Sequence, residues 1–222
     1  MFRNFMDDLL KNKNYIMLSD ISRETIETNM NDWVVDHYLG RIQCSLQDWE
    51  MSDELKQIIT KFAKQFNENA EFRYVSFVRY SKDFGFPQLG PHLDPPTKEH
   101  FMFDIQLRST LDWPIVVAQD DEIKEYTLNT NDALVLEITR NAHWRKPLRF
   151  EDSDYLDMLF FSYTDNSLDI PSLEWQSETG LKHMDSYNEE LATVYPESEK
   201  EIRDRYTNSI KKENFILQGQ VR

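Results

Sequence analysis

Cysteine is nearly absent from this 222-residue chain, with Cys44 its sole representative. A lone thiol excludes an intrachain disulfide framework and a thiolate metal cluster, and it fits a reducing compartment. Basic residues are also scarce. Twenty-five Lys and Arg stand against forty Asp and Glu, a formal net charge of −15. The average field therefore repels phosphate backbones and anionic membrane surfaces, which disfavours nucleic acid as a partner. The opening MFRNFMDDLLKNK has two acids in its middle and no uninterrupted apolar stretch, so it reads as neither signal peptide nor membrane span, and the expected location is cytoplasmic. Repeats and low-complexity linkers are missing too, and the length suits one core, so residues 1–222 are expected to form a single domain.

What is present is bulk: 40% of residues are hydrophobic and 13% aromatic, enough to fold a globular chain. FRYVSFVRY, HFMFDIQLRS, PIVVA, ALVLEIT and YLDMLFFSY are short aromatic and β-branched runs between polar or proline-bearing turns, and they read as strands. No helical pattern separates them, so an antiparallel sandwich or barrel is expected rather than alternating β-α units. Helical spacing occurs on either side. Phe2, Phe5, Met6, Leu9 and Leu10 mark an opening amphipathic helix, and a less regular one begins near Ser22. After the plausible N-cap Ser52, Leu55, Ile58, Ile59, Phe62 and Phe66 form one stripe. Ile202, Tyr206 and Ile210, following Pro196, predict a terminal helix. The expected class is mainly β with flanking helices, the β-core covering about 71–165 and the helical flanks 1–70 and 166–222.

The chemistry concentrates in GFPQLGPHLDPP, where His92 and Asp94 lie two residues apart behind a Gly/Pro-rich loop. Residues i and i+2 of an extended segment share a side, so imidazole and carboxylate can meet one ion. A third ligand is available about fifty residues on, where His143 in NAHWR follows the ALVLEIT run and a rolled sheet could bring it back. Two imidazoles and one carboxylate on one face leave three positions open, the arrangement of non-haem Fe(II) oxygenases.

VSFVRYSKDFGFPQLGPHLD resembles the strand-loop segment of prolyl-4-hydroxylase-like members of the Fe(II)/2-oxoglutarate dioxygenase superfamily, in which an Arg-Tyr pair precedes His-x-Asp by about a dozen residues. NDALVLEITRNAHWRKPL resembles the later segment, where an apolar strand leads to the distal histidine and then a proline. Together these segments cover roughly residues 72–163. The resemblance implies a double-stranded β-helix (jelly-roll, cupin-like), with His92, Asp94 and His143 as catalytic metal ligands and Tyr80 hydrogen-bonding the cosubstrate. Fe(II), 2-oxoglutarate and O2 are the implied cofactors. The implied reaction oxidises a C–H bond of an amino acid, peptidyl side chain or small metabolite, with release of succinate and CO2. Asp94 stands where a halogenating relative would need a small residue, so hydroxylation is expected over halogenation, while desaturation or ring closure shares the same hydrogen abstraction and stays open.

One element of that pattern is replaced. An Arg or Lys about ten residues beyond the distal histidine usually pairs with the far carboxylate of 2-oxoglutarate, but here the chain reads Asp152-Ser153-Asp154-Tyr155. Arg145, two residues after His143, should share its inward side, and a guanidinium suits a carboxylate bidentately. Arg149, Lys146 and Arg108 are the alternatives.

Plainer roles compete. His92 and Asp94 could be a hydrogen-bonded surface pair, His143 a satisfied core histidine, and Tyr80 a core aromatic; Lys146 reads as solvated. His37, His100, His183 and Trp113 are assigned no site role. Two other functions share the scaffold: a non-redox, metal-dependent isomerase of cupin type using the same three ligands, and a binding module without turnover.

Overall fold

The computed structural model describes residues 33–36, 39–45, 53–94, 100–119, 122–168 and 178–196. These form ten strands in two antiparallel sheets: β1 (Trp33–Asp36), β2 (Arg41–Ser45), β3 (Glu71–Ser81), β4 (Leu89–His92), β5 (Phe101–Ser109), β6 (Ile115–Gln119), β7 (Glu122–Tyr126), β8 (Ala133–Leu136), β9 (Ala142–Arg145) and β10 (Tyr155–Thr164). Two helices of the described part are α1 (Asp53–Phe66) and α2 (Met184–Val194). Among the described residues no helix is long and apolar enough to cross a membrane.

The larger sheet runs β1-β2-β3-β10-β5-β8 and the smaller β4-β9-β6-β7. β3 pairs with β10, β4 with β9, β5 with β8 and β6 with β7. Strands β3 to β10 thus pair as one long two-stranded ribbon, coiled so that it alternates between the sheets. That is a double-stranded β-helix, closed sideways where β5 meets β10 and β6 meets β9. The β1–β2 hairpin extends the larger sheet beyond it by pairing β2 with β3.

Alternation along the strands divides the apolar residues into layers. Between the sheets lie Val78, Leu134, Leu136, Met158, Ile115 and Val117. On the outer face of the larger sheet, Phe77, Phe103, Ile105 and Phe161 pack under Ile59 and Ala63 of α1. On the outer face of the smaller sheet, Val116 and Trp144 pack under Tyr187 and Leu191 of α2. Each large apolar side chain so buried contributes about 1.5–3 kcal/mol. One charged group interrupts the outer face of the larger sheet: Asp157, with no exposed side-chain surface, takes Arg79 at 2.7 and 2.8 Å and Arg108 at 2.5 Å.

The five strands expected from the sequence are present as β3, β5, β6, β8 and β10. β8 is shorter than its apolar run, because Glu137 to Arg140 form a turn in which Arg140 and Asn141 N–H both donate to the Glu137 carbonyl. The amino-terminal flank is not wholly helical, since β1 and β2 belong to it. α1 follows Ser52 as expected, and its Phe66 packs 5.4 Å from Phe101. The opening helix, the segment near Ser22 and the terminal helix after Pro196 fall outside the described residues.

Candidate metal centre

Strand β4 is an edge strand of the smaller sheet and reads Leu-Gly-Pro-His. Pro91 has no N–H to give, which an edge strand tolerates. In its pairing with β9, Leu89 stands opposite Arg145 and His92 opposite His143, so β4 carries one residue more than its partner between those points. This bulge re-aims the end of the strand. Asp94, just beyond, is tied by its N–H to the Ile138 carbonyl at 2.8 Å. On β9 the alternation is plain: Trp144 packs outward with α2, while His143 and Arg145 face the space between the sheets.

His92, Asp94 and His143 therefore converge, each offering a donor atom within 4.8 Å of the others. The two imidazoles are 4.3 Å apart, centroid to centroid, and His92 Nε2 lies 3.5 Å from Asp94 Oδ1. Both rings are held the same way. His92 Nδ1 is 2.8 Å from the Gly90 carbonyl and His143 Nδ1 is 3.1 Å from the Asn141 carbonyl. A carbonyl only accepts, so each Nδ1 carries a proton, which leaves Nε2 as the nitrogen available to a metal. Two imidazoles and a carboxylate then meet, a donor set that a cation would satisfy.

Electrostatics favour the unprotonated forms of His143 and Asp94. Burial, then the neighbouring His92, push His143 down to about 4, against the opposing pull of Asp94. Burial opposes ionisation of Asp94, but its interaction with His92 and the fields of His143 and Arg41 outweigh that and hold its carboxyl below the ordinary carboxylate range. Such a donor set fits a divalent transition metal with open positions.

Of the other residues singled out in the sequence, Tyr80 lies on the inner face of β3, 1% exposed, edge-on to Trp113 at 5.1 Å. Arg145, 2% exposed, donates Nη1 to the Trp113 carbonyl, directs Nη2 at Met158 Sδ 3.7 Å away, and sits 5.2 Å over the Trp113 ring. Trp113 is fixed in turn by its Nε1 donating to the Lys146 carbonyl at 2.6 Å. Arg149 is not brought to the triad: it is half exposed, donates to the Val194 carbonyl at 3.3 Å and lies over Tyr195 beside α2. Lys146 pairs with Glu125 at 2.5 Å, and Arg108 is taken by Asp157.

Two inward-facing residues escaped the sequence reading. Arg41 of β2 stands opposite Tyr80 and donates Nη1 to its hydroxyl at 3.1 Å. Asp104 of β5 is 5% exposed, and its Oδ1 has no hydrogen-bond partner among the described residues. Burial raises its pKa to about 7, moderated by Arg145. A signal for Asp104 was available in FMFDIQL, where Met102, Asp104 and Gln106 alternate with Phe103, Ile105 and Leu107. Arg41 carried none, because its inward direction follows from pairing with a strand about forty residues away.

No protein-family model matches the chain, and no curated protein matches it in sequence. Similar solved structures include a 2OG-Fe(II) oxygenase family oxidoreductase from Burkholderia pseudomallei, at 14% identity over 64% of this chain and 77% of that one, TM-score 0.46. HygX from Streptomyces hygroscopicus, solved with nickel and 2-oxoglutarate, matches at 10% identity over 68% and 83%, TM-score 0.48. A Trichoplax adhaerens prolyl hydroxylase, solved with a hypoxia-inducible-factor peptide, matches at 9% over 74% and 82%, TM-score 0.49. The class of this protein rests on its own strand order: a mainly β chain whose core is a double-stranded β-helix.

Proposed function

We propose that the chain is a non-haem Fe(II) oxygenase that uses 2-oxoglutarate, of the prolyl-4-hydroxylase-like kind, and that it hydroxylates an amino acid, a peptidyl side chain or a small metabolite. The observation that carries this reading is the meeting of three metal-ligand side chains, His92, Asp94 and His143, inside a double-stranded β-helix. Bound iron would supply oxygen activation coupled to loss of CO2 from the 2-oxo acid.

The chain's own residues do the rest. The Gly90 and Asn141 carbonyls fix both imidazole tautomers, so the ligand nitrogens need no rearrangement when a metal arrives. Asp94, held below the ordinary carboxylate range, supplies a single negative charge and leaves positions for cosubstrate and O2. Tyr80 offers a hydroxyl on the inner wall, and Arg145 adds positive charge to the same cavity wall. Val78, Leu134, Ile115 and Val117 line the space between the sheets, and apolar surroundings strengthen electrostatic interactions.

The test is anaerobic addition of Fe(II) and then 2-oxoglutarate, which should give a weak visible charge-transfer band, followed by succinate release when O2 is admitted. Metal bound without band or succinate would exclude the oxygenase and leave the metal-dependent isomerase. A chain that takes up no metal at all leaves only a binding module.

A further inference from the structure

We infer that Arg41, from the hairpin outside the coiled ribbon, binds the far carboxylate of the 2-oxo acid together with Tyr80, in the role that sequence analysis gave to Arg145. The inference rests on the oxygenase reading above and assigns a residue within it.

The basic residues near the site differ in what their donors already do. Arg145 gives Nη1 to the Trp113 carbonyl and sits over the Trp113 ring, with Met158 Sδ against Nη2. Arg108, Arg149 and Lys146 are held by Asp157, the Val194 carbonyl and Glu125.

Arg41 is placed differently. Ile42 turns to the outer face with α1, so Arg41 turns inward, opposite Tyr80. One arm, Nη1, reaches the Tyr80 hydroxyl, whereas Nε is buried with no hydrogen-bond partner among the described residues. Asp36 Oδ2, at 3.9 Å from Nε, is too distant for a hydrogen bond. Tyr80 accepts from Arg41 and so keeps its own proton to donate. The Arg41 guanidinium and the Tyr80 phenol, joined by that hydrogen bond, still hold N–H and O–H donors that suit the two oxygens of one carboxylate. Of the carboxylates that act on Arg41, Asp36 comes first and the metal ligand Asp94 second. The ligand class that fits is a 2-oxo dicarboxylate: its 2-oxo acid end at the triad and its far carboxylate at Arg41 and Tyr80.

The experiment compares 2-oxoglutarate with 2-oxopentanoate, which keeps the 2-oxo acid end and replaces the far carboxylate by a methyl group. Fe(II)-loaded protein is titrated anaerobically with each, following the visible band and tryptophan fluorescence. Wild type is expected to prefer 2-oxoglutarate at least tenfold. Arg41→Met should abolish the preference by weakening 2-oxoglutarate alone, with Kd for 2-oxopentanoate and for Fe(II) unchanged; Arg41→Lys should keep part of it. Should Arg41→Met not fold, Arg41→Gln is judged by the same ratio. A wild type that prefers 2-oxoglutarate alongside an Arg41 variant that keeps the full preference overturns the assignment to Arg41 alone. A wild type that holds iron yet binds neither acid overturns the oxygenase reading and this inference with it.

Discussion

His92 and His143 stand directly opposite one another on β4 and β9, their ring centroids 4.3 Å apart and their planes inclined by 49°. Each gives its Nδ1 proton to the carbonyl two residues before it. The pair is therefore set to present nitrogen lone pairs, and Asp94 completes the set. Replacing His143 or Asp94 by Ala should weaken Fe(II) binding by more than about 100-fold, since loss of a mere supporting partner costs 10–100-fold. Far-ultraviolet circular dichroism should be unchanged. Iron-dependent turnover surviving in either variant is incompatible with the assignment.

The acid side of the stability profile should carry the signature of His143. In the metal-free protein its folded pKa, about 4, lies below the ordinary 6.5, because burial and then His92 oppose its charging. A depressed value means that its contribution to stability is fully present above pH 6.5 and is lost as pH falls towards 4. Imidazole NMR of the metal-free protein should show one ring titrating near pH 4. If every ring titrates near 6.5, His143 is not buried as described.

Asp104 should act in the opposite direction. Its folded pKa, raised to about 7 by burial, lies above the ordinary 3.8, so its contribution is full below pH 3.8 and is lost as pH rises to 7. Comparing wild type with Asp104→Asn isolates this group from His143. Between pH 4 and pH 8 the metal-free wild type should lose on the order of a few kcal/mol relative to the variant. Parallel urea-unfolding profiles for the two proteins would show that Asp104 does not titrate in this window.

Asp157 is a structural charge rather than a site residue. It carries two guanidinium groups on the outer face of the larger sheet. Asp157→Asn leaves Arg79 and Arg108 facing a neutral amide, and removing one partner of a buried ion pair costs about 3–5 kcal/mol. Thermal unfolding should report the loss. Fe(II) affinity below the transition should stay at the wild-type value.

Gly40 links stability to the site. Its φ is +58°, and a Cβ there would lie 2.4 Å from Phe86 C and Pro87 N, in the loop that leads into β4. Gly40→Ala should cost about 1–2 kcal/mol for the left-handed backbone alone. Displacement of that loop should also weaken 2-oxoglutarate and Fe(II) binding. Unaltered affinities in a destabilised Gly40→Ala protein would show that the loop does not set the position of His92.

Much of this was legible in the sequence for one physical reason: the long strands are buried on both faces, so their aromatic and β-branched content stands out, as in β3 and β10. The short strands lack that content. Leu-Gly-Pro-His of β4 looks like a loop, Glu-Ile-Lys-Glu-Tyr of β7 is mostly exposed, and Ala-His-Trp-Arg of β9 is four residues long. These modest strands nonetheless carry His92 and His143. Helix α2 was missed because the chain after Thr164 is polar overall, although Met184, Tyr187 and Leu191 fall on one face and are buried. His92 and Asp94 were singled out by their spacing, and His143 by its place after an apolar run. The inward direction of Arg41 depends on a distant partner strand, and no local pattern encodes it.

The coiled ribbon makes iron uptake a gauge of completed folding. The first imidazole and the carboxylate leave the ribosome about fifty residues before the second imidazole, and they gain their partner only when β9 docks along β4. A one-residue slip of that docking would turn His143 outward and bring Trp144 in. Chains that have collapsed without this register should be distinguishable from native ones by their failure to retain the ion.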